Sequence, residues 1–172
     1  KKWSNFESLL TILHMGGFIR DIRDIWWDVR PHPDFGTVEI RICDLPTRFD
    51  EILGIVALIQ ALVITLANDN SSKRFPGLEI VANNKWQAAR YGLEGKFIDT
   101  DDLSRTKSLK EACRDLLDMV YPASRSKDTL SHLGVVKRIL QQGTGAHRQK
   151  NIYAKKPDFN FIIEEIKGDF WV

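Results

Sequence analysis

Seven residues, from Thr37 to Cys43, alternate strictly between polar and apolar side chains. A period of two predicts a β-strand with one buried face. The face that we expect to be buried carries three apolar residues, Val38, Ile40 and Ile42. Glu39 and Arg41 would stand side by side on the opposite face, which faces either solvent or a cleft.

A second extended segment precedes this strand, from Trp26 to Arg30. Pro31 and Pro33 favour extended geometry in the residues before them, and Gly36 permits a turn. We therefore expect the two segments to pair as a hairpin. One surface of that hairpin would carry two acids and two arginines, Asp28, Arg30, Glu39 and Arg41. Such a set suits anionic ligands and a cation, as phosphate chemistry requires, but exposed ion pairs of this kind are also common and weak.

The run from Ile52 to Ala67 is almost wholly apolar. At about 16 residues it is shorter than the roughly 20 that cross a bilayer. We interpret it as a central buried helix that packs on the apolar face of the strand, which would leave the polar face for ligands.

Helical periodicity predicts further helices over residues 78–91, 109–120, 130–140 and 159–166, and the polar segment 68–77 predicts a loop. Strand-like patterns are confined to the opening third of the chain. Gly143, Thr144 and Gly145 follow a helix and lack the remaining residues of a nucleotide-binding loop, so they predict a turn between two helices.

The composition is ordinary for a globular protein, with 43% hydrophobic and 28% charged residues. It indicates neither disorder nor a membrane protein, and a formal charge of +2 argues against a nucleic-acid surface. Cys43 and Cys113 have no metal-ligand spacing, so a reducing, cytoplasmic location is the expected one. The four histidines are too scattered for a zinc site.

Three segments carry a resemblance to a known family. They are Trp26–Pro31 followed by Gly36–Asp44, then Asn84–Gly95, then Gly143–Gln149. Together they resemble, in the same order, the carboxylate-amine ligases of the second glutamate-cysteine ligase family. One departure is His147, where the family pattern would have an acidic residue.

The resemblance implies an α+β fold like that of glutamine synthetase, with short antiparallel strands packed against a mostly helical remainder. It also implies an ATP-dependent and Mg²⁺-dependent ligase linked to glutathione biosynthesis. In such a ligase, ATP phosphorylates the γ-carboxylate of glutamate. An amine such as that of cysteine then attacks the acyl phosphate to form a γ-glutamyl amide.

The resemblance also implies roles for individual residues. Glu39 would bind the magnesium ion, while Arg41 and Arg30 would be catalytic and contact anions. Arg30 would additionally bind the substrate, and Asp28 would orient Arg30 or bind the substrate or metal. The residues that contact ATP would be Arg41, Asn84 and Arg90.

Judged by the usual length of domains, we expect family members to be roughly twice as long as this chain. We therefore interpret residues 1–172 as the carboxy-terminal half of one catalytic domain, with the upstream half absent. The expected partners are glutamate, an amine and that upstream half. Assembly into a homo-oligomer is also open. The alternative is a non-catalytic fragment or regulatory half that binds a partner chain, and it predicts an exposed apolar patch.

Overall fold

A computed structural model describes residues 3–69, 76–124 and 127–171 of the chain. The described residues form α-helices and two short antiparallel hairpins, which confirms the predicted α+β class. The chain divides into two units, one up to Leu45 and one from Pro46 onward. Most of the predicted loop 68–77 lies outside the described residues.

The first unit consists of one helix and the predicted hairpin. Helix α1 spans Trp3–Met15, and strands β1 (Val29–His32) and β2 (Thr37–Ile40) pair antiparallel. A short 3-10 turn, Pro33–Phe35, joins the strands, and Gly36 follows it in the left-handed region at φ 59°. Only glycine adopts that conformation without steric cost, so Gly36 allows the chain to turn back at this point.

The apolar face of this hairpin differs from the prediction. Val38 is 60% exposed and Ile42 is 53% exposed, so the expectation that both are buried is wrong. A two-stranded hairpin gives each strand a single neighbour and covers little of its own surface. Among the described residues of the first unit, Ile25 is the hydrophobic residue that is buried.

The second unit contains the hydrophobic core and six helices among the described residues. These helices are α2 (Phe49–Ala67), α3 (Leu78–Tyr91), α4 (Leu109–Val120), α5 (Lys127–Gln142), α6 (Gly145–Lys155) and α7 (Phe159–Asp169). The core residues come from α2, α4 and α5 and are Ala57, Ala61, Leu117, Val120, Leu133, Val136 and Leu140. The predicted turn at Gly143 to Gly145 is confirmed, since it separates α5 from α6.

Helix α2 packs against α5 through small residues. A Cβ atom on Gly54 would lie 3.2 Å from both the carbonyl oxygen of His132 and the Cβ of Val135. Gly54, Ala57 and Ala61 are all buried on this face. The small side chains therefore allow the two helices to approach closely.

The predicted central helix α2 contributes Ala57 and Ala61 to the core, but it is buried along one face only. Val56, Val63 and Leu66 are more than half exposed. By length and composition α2 could cross a membrane, with a mean hydropathy of 2.0. Core helices of soluble proteins pass the same test, and α2 begins with a buried charged residue, Glu51.

A second hairpin precedes α4, where the sequence predicts only a short extended segment over residues 97–102. Strands β3 (Lys96–Ile98) and β4 (Thr106–Ser108) pair antiparallel, with Ile98 opposite Thr106. The prediction that strands are confined to the opening third is therefore wrong. Each strand is only three residues long, which is too short for alternation to be recognised.

Candidate functional site

The hairpin of the first unit brings together three of the predicted site residues. Its register places Arg30 directly opposite Glu39. Arg30 Nε and Nη2 both donate to Glu39 Oε2, at 2.9 and 2.5 Å, and Arg30 Nη1 donates to the carbonyl oxygen of Arg23 at 2.9 Å. The Arg30 side chain is 12% exposed. Arg30 is therefore fixed from both sides of its guanidinium group.

Arg41 completes the cluster from the other side of Glu39. Its Nη1 donates to Glu39 Oε1 at 2.7 Å, and its guanidinium carbon lies 4.7 Å from the centre of the Trp26 ring. The backbone N–H of Arg41 donates to the carbonyl oxygen of Asp28 at 2.7 Å. Stacking on an aromatic ring and a backbone hydrogen bond thus position Arg41.

The charges of this cluster do not balance. Two guanidinium groups surround one carboxylate, so the three side chains carry a net charge of +1. The hydrogen bond from Arg30 is the main cause of a lowered pKa at Glu39, and the charges of Arg30 and Arg41 add to it. Glu39 is therefore ionised at neutral pH.

The described oxygen donors around Glu39 do not form a complete site for Mg²⁺. Both oxygens of Glu39 already accept hydrogen bonds from arginine. Among the residues described, no group of three His, Cys, Asp or Glu side chains could hold a metal ion. Magnesium requires oxygen ligands in an octahedral arrangement. The described residues do not form such a site by themselves, and Glu39 as a magnesium ligand stays a prediction.

The role of the Asp28 side chain stays a prediction, and the other two predicted residues, Asn84 and Arg90, lie on α3 in the second unit. Asn84 is buried, donates from Nδ2 to the carbonyl oxygen of Ile98 at 3.0 Å, and accepts from the N–H of Ile98 at 2.9 Å. This pair of bonds ties β3 to α3. Arg90 is exposed in the last turn of α3. Contacts of Asn84 and Arg90 with ATP stay predictions.

The third family-like segment contributes a buried ion pair. Arg148 Nη1 and Nη2 donate to Glu51 Oε1 and Oε2, each at 2.7 Å, and Nη2 also donates to Thr47 Oγ1 at 2.8 Å. Glu51 is 4% exposed, and its carboxylate raises the pKa of Arg148. The pair joins the first turn of α6 to the first turn of α2.

Glu51 was missed by the sequence analysis, although its position carried a signal. It is an acidic residue in the first turn of a strongly apolar helix. A carboxylate at such a place is buried only if a cation accompanies it. Two further ion pairs lie in this unit at neighbouring positions along the chain, Arg138 with Asp50 and Arg48 with Asp169.

His147, the departure from the family pattern, has a structural role. Its Nδ1 accepts from the N–H of Thr144 at 3.3 Å and lies 3.0 Å from Thr144 Oγ1. An acidic side chain at the third helical position makes the same kind of contact in a capping box. His147 therefore caps the start of α6.

Comparison with known proteins agrees with these segments. Residues 1–166 match the model of glutamate-cysteine ligase family 2. The chain is similar to three proteins that are provisionally named glutamate–cysteine ligase 2 or 2-1. They come from Solibacter usitatus (34% identity over 95% of this chain), Sorangium cellulosum (36% over 94%) and Frankia alni (39% over 91%). The matched regions make up 43%, 44% and 41% of those proteins, so the chain spans less than half of their length.

Proposed function

Because the chain belongs to glutamate-cysteine ligase family 2, we propose that it forms part of an ATP-dependent ligase that joins the γ-carboxylate of glutamate to an amine such as that of cysteine. The observation that supports this proposal is the arrangement of Arg30 and Arg41 around one carboxylate. Guanidinium groups in such a fork bind carboxylate and phosphate through paired hydrogen bonds.

The proposed reaction has two steps. An oxygen of the γ-carboxylate attacks the terminal phosphorus of ATP, which releases ADP and leaves an acyl phosphate. The amine nitrogen then attacks the acyl carbon, loses a proton and expels inorganic phosphate. A carboxylate is a poor electrophile at neutral pH, and phosphorylation converts its oxygen into a leaving group.

The proposed role of Arg30 and Arg41 is electrostatic. Negative charge accumulates on the phosphoryl oxygens during transfer, and fixed positive charge at that place lowers the barrier. Arg30 is held by Glu39 and the carbonyl of Arg23, and Arg41 by Glu39 and Trp26. Guanidinium groups that are already positioned need little reorganisation when the charge develops.

The other expected components of the reaction are also proposals. ATP supplies the phosphoryl group, and Mg²⁺ would neutralise phosphate charge. Since the described residues do not make a complete Mg²⁺ site, its further oxygen ligands would come from elsewhere, including the phosphates and water. A cytoplasmic location and a homo-oligomeric state stay predictions as well.

The first test is release of ADP by the longest natural protein that contains this chain, with magnesium, ATP and glutamate, in the presence and absence of cysteine. Release that depends on glutamate and increases with cysteine would support γ-glutamyl ligation. Release that increases with another amine would support the ligase and change the acceptor. No release with any amine would contradict the proposal.

The second candidate is a non-catalytic chain that binds a partner. Exposed apolar side chains favour it, because Val56, Val63 and Leu66 lie within one helix and are all more than half exposed. Exposed apolar faces of this kind mark interaction sites. A protein that binds neither ATP nor glutamate but forms a stable complex with the remainder of a family member would support this candidate.

A further inference from the structure

We propose that a crevice between α4 and α5 binds a free α-amino acid whose apolar side chain is about the size of that of leucine. The crevice lies within the second unit and uses none of the residues assigned to the ligase reaction. Its lining residues are Leu117, Asp118, Tyr121, Leu130, Leu133, Gly134 and Lys137.

The floor of the crevice is apolar. Leu117 and Leu133 are 4% and 2% exposed and belong to the hydrophobic core. A Cβ atom on Gly134 would meet nothing within 4 Å, which agrees with open space beside the backbone at that position. The residues that α5 contributes are three or four positions apart and therefore share one helix face, and they are Leu130, Leu133, Gly134 and Lys137.

The size of the crevice limits what can enter it. Its volume, measured as space for the centres of water molecules, is about 50 Å³. One water molecule needs about 10–15 Å³ by that measure, so the crevice has room for roughly four groups of that size. The branched side chain of leucine is of this size. A larger ligand would extend beyond the rim into solvent.

The rim of the crevice carries one charge of each sign. Asp118 on α4 and Lys137 on α5 are both exposed, and neither forms an ion pair with a described residue. The Lys137 ammonium group lies 5.9 Å from the centre of the Tyr121 ring, which is the outer limit of a cation–π contact. Both charged groups are therefore available to a ligand.

A free apolar amino acid matches the floor and the rim together. Its side chain displaces water from an apolar surface that offers few hydrogen bonds, and such displacement favours binding. Its carboxylate pairs with Lys137 and its ammonium group pairs with Asp118. An uncharged apolar ligand leaves the rim unused, and a ligand with a single charge uses half of it.

The test is an NMR titration of the longest natural protein that contains this chain, with its leucine methyl groups labelled with ¹³C. We expect unlabelled L-leucine to shift the methyl signals of Leu117, Leu130 and Leu133, with a Kd of about 1 mM, as is usual for a ligand of so few atoms. Glycine, which has no side chain for the floor, should cause no shift. The absence of any shift with L-leucine would overturn the proposal.

Three analogues of leucine test the rim. Isocaproate lacks the ammonium group, isoamylamine lacks the carboxylate, and N-acetyl-L-leucinamide lacks both charges. We expect the first two to bind about threefold more weakly than L-leucine and the third about tenfold more weakly, because each ion pair at an exposed rim contributes modestly. Equal binding of N-acetyl-L-leucinamide would overturn the proposal, since the crevice would then accept any apolar side chain, including one from another protein.

The variant Gly134→Leu tests the floor by filling the crevice with a side chain of the chain itself. We expect it to weaken binding of L-leucine at least tenfold. Gly168→Leu on α7 is the matched control, because a Cβ atom there also meets nothing within 4 Å. Replacing a helical glycine favours the helix, so both variants should fold. Unchanged affinity in Gly134→Leu, or an equal loss in Gly168→Leu, would contradict the site.

Variants of the two charged residues connect each ligand group to its partner. Lys137→Gln should weaken binding of L-leucine about threefold and leave isoamylamine unchanged. Asp118→Asn should weaken L-leucine to the same extent and leave isocaproate unchanged. Effects that do not depend on the charge of the ligand would overturn the assignment. Binding is measured without ATP or magnesium, so its outcome is separate from that of the ligase assay.

Discussion

At the residue scale, the position of Arg41 is the most informative feature of the hairpin. Three contacts fix it, namely the carboxylate of Glu39, the ring of Trp26 and the carbonyl oxygen of Asp28. Trp26 itself is 81% exposed. An exposed tryptophan contributes little to a core, so its evident contribution here is to hold the guanidinium group of Arg41.

We expect Arg41→Ala to lower ligase turnover by on the order of a thousandfold, as for other arginines that stabilise phosphoryl transfer. The measurement is ADP release at saturating substrates. Arg20→Ala is the matched control, because Arg20 belongs to the same unit, is almost fully exposed and pairs loosely with Asp24 at 4.0 Å. A loss below tenfold for Arg41→Ala would remove Arg41 from the chemistry.

The ionisation of Glu39 gives a prediction for pH. Its pKa in the folded chain is lowered, first by the hydrogen bond from Arg30, so the ion pairs are fully present above the ordinary glutamate value of 4.5. As the pH falls through the lowered pKa, the carboxylate is protonated and its stabilising contribution is lost. The carboxyl ¹³C signal of Glu39 should titrate below pH 4.5 in wild type and closer to 4.5 in Arg30→Gln. A wild-type midpoint above 4.5 would contradict the arrangement.

The residues of the hairpin site could be read from the sequence because they are close together in the chain. Alternation identified Glu39 and Arg41 on one face, and the proline and glycine residues identified the turn. The partnership between Glu51 and Arg148 could not be read in this way. These residues are 97 positions apart, and local patterns carry no information about such a pairing.

At the element scale, helix α2 is held by a buried ion pair at its start and by close packing along one face. We expect Glu51→Met and Arg148→Met each to lower the free energy of unfolding by about 2–4 kcal/mol. Each substitution leaves the charge of the other residue unpaired in a largely buried place. The double variant should lose less than the sum of the two. Urea unfolding of all three variants measures this.

The control for that cycle is the exposed pair of Glu164 and Lys167 on α7. Exposed pairs of this type contribute about 0.5 kcal/mol or less. Additive losses at Glu51 and Arg148, with no coupling, would show that the buried pair does not act as a unit.

Packing between α2 and α5 gives a second prediction at this scale. A side chain on Gly54 would meet the backbone of His132 and the side chain of Val135, so we expect Gly54→Leu to lower the free energy of unfolding by about 1–3 kcal/mol. Gly134→Ala on α5 is the matched control, because nothing lies within 4 Å of its added Cβ. That change should stabilise the chain by about 0.5–1 kcal/mol. Thermal unfolding of both variants separates close packing from backbone effects.

Most elements could be predicted because their signals are local. The bounds of α3 and α4 follow the predicted segments 78–91 and 109–120. The pairing of the second hairpin could not be predicted, because its strands have three residues each and it is tied to α3 by tertiary contacts such as that of Asn84 with Ile98. Burial of the apolar face of the first hairpin and of α2 was expected from hydrophobicity alone. Hydrophobicity does not identify which apolar faces have a neighbouring element to pack against.

At the scale of the whole molecule, apolar side chains are exposed in both units. Val38 and Ile42 are examples in the first, and Val56 and Val63 in the second. The chain spans less than half the length of the relatives it matches. Apolar surface exposed to this extent is unusual for a monomer. We therefore expect the longest natural protein that contains this chain to unfold at a higher temperature than the 172-residue chain.

The two ion-pair sites also differ in the length of the loop that must close when the paired residues meet. Arg30 and Glu39 are nine positions apart, whereas Glu51 and Arg148 are 97 positions apart. Because the entropic cost of closing a loop rises with its length, the longer loop costs about 2 kcal/mol more to close. During folding, the hairpin can therefore assemble within microseconds from neighbouring residues, while the Glu51 and Arg148 pair waits for the helices to meet. The proposed chemistry thus depends on the part of the chain whose contacts can form first.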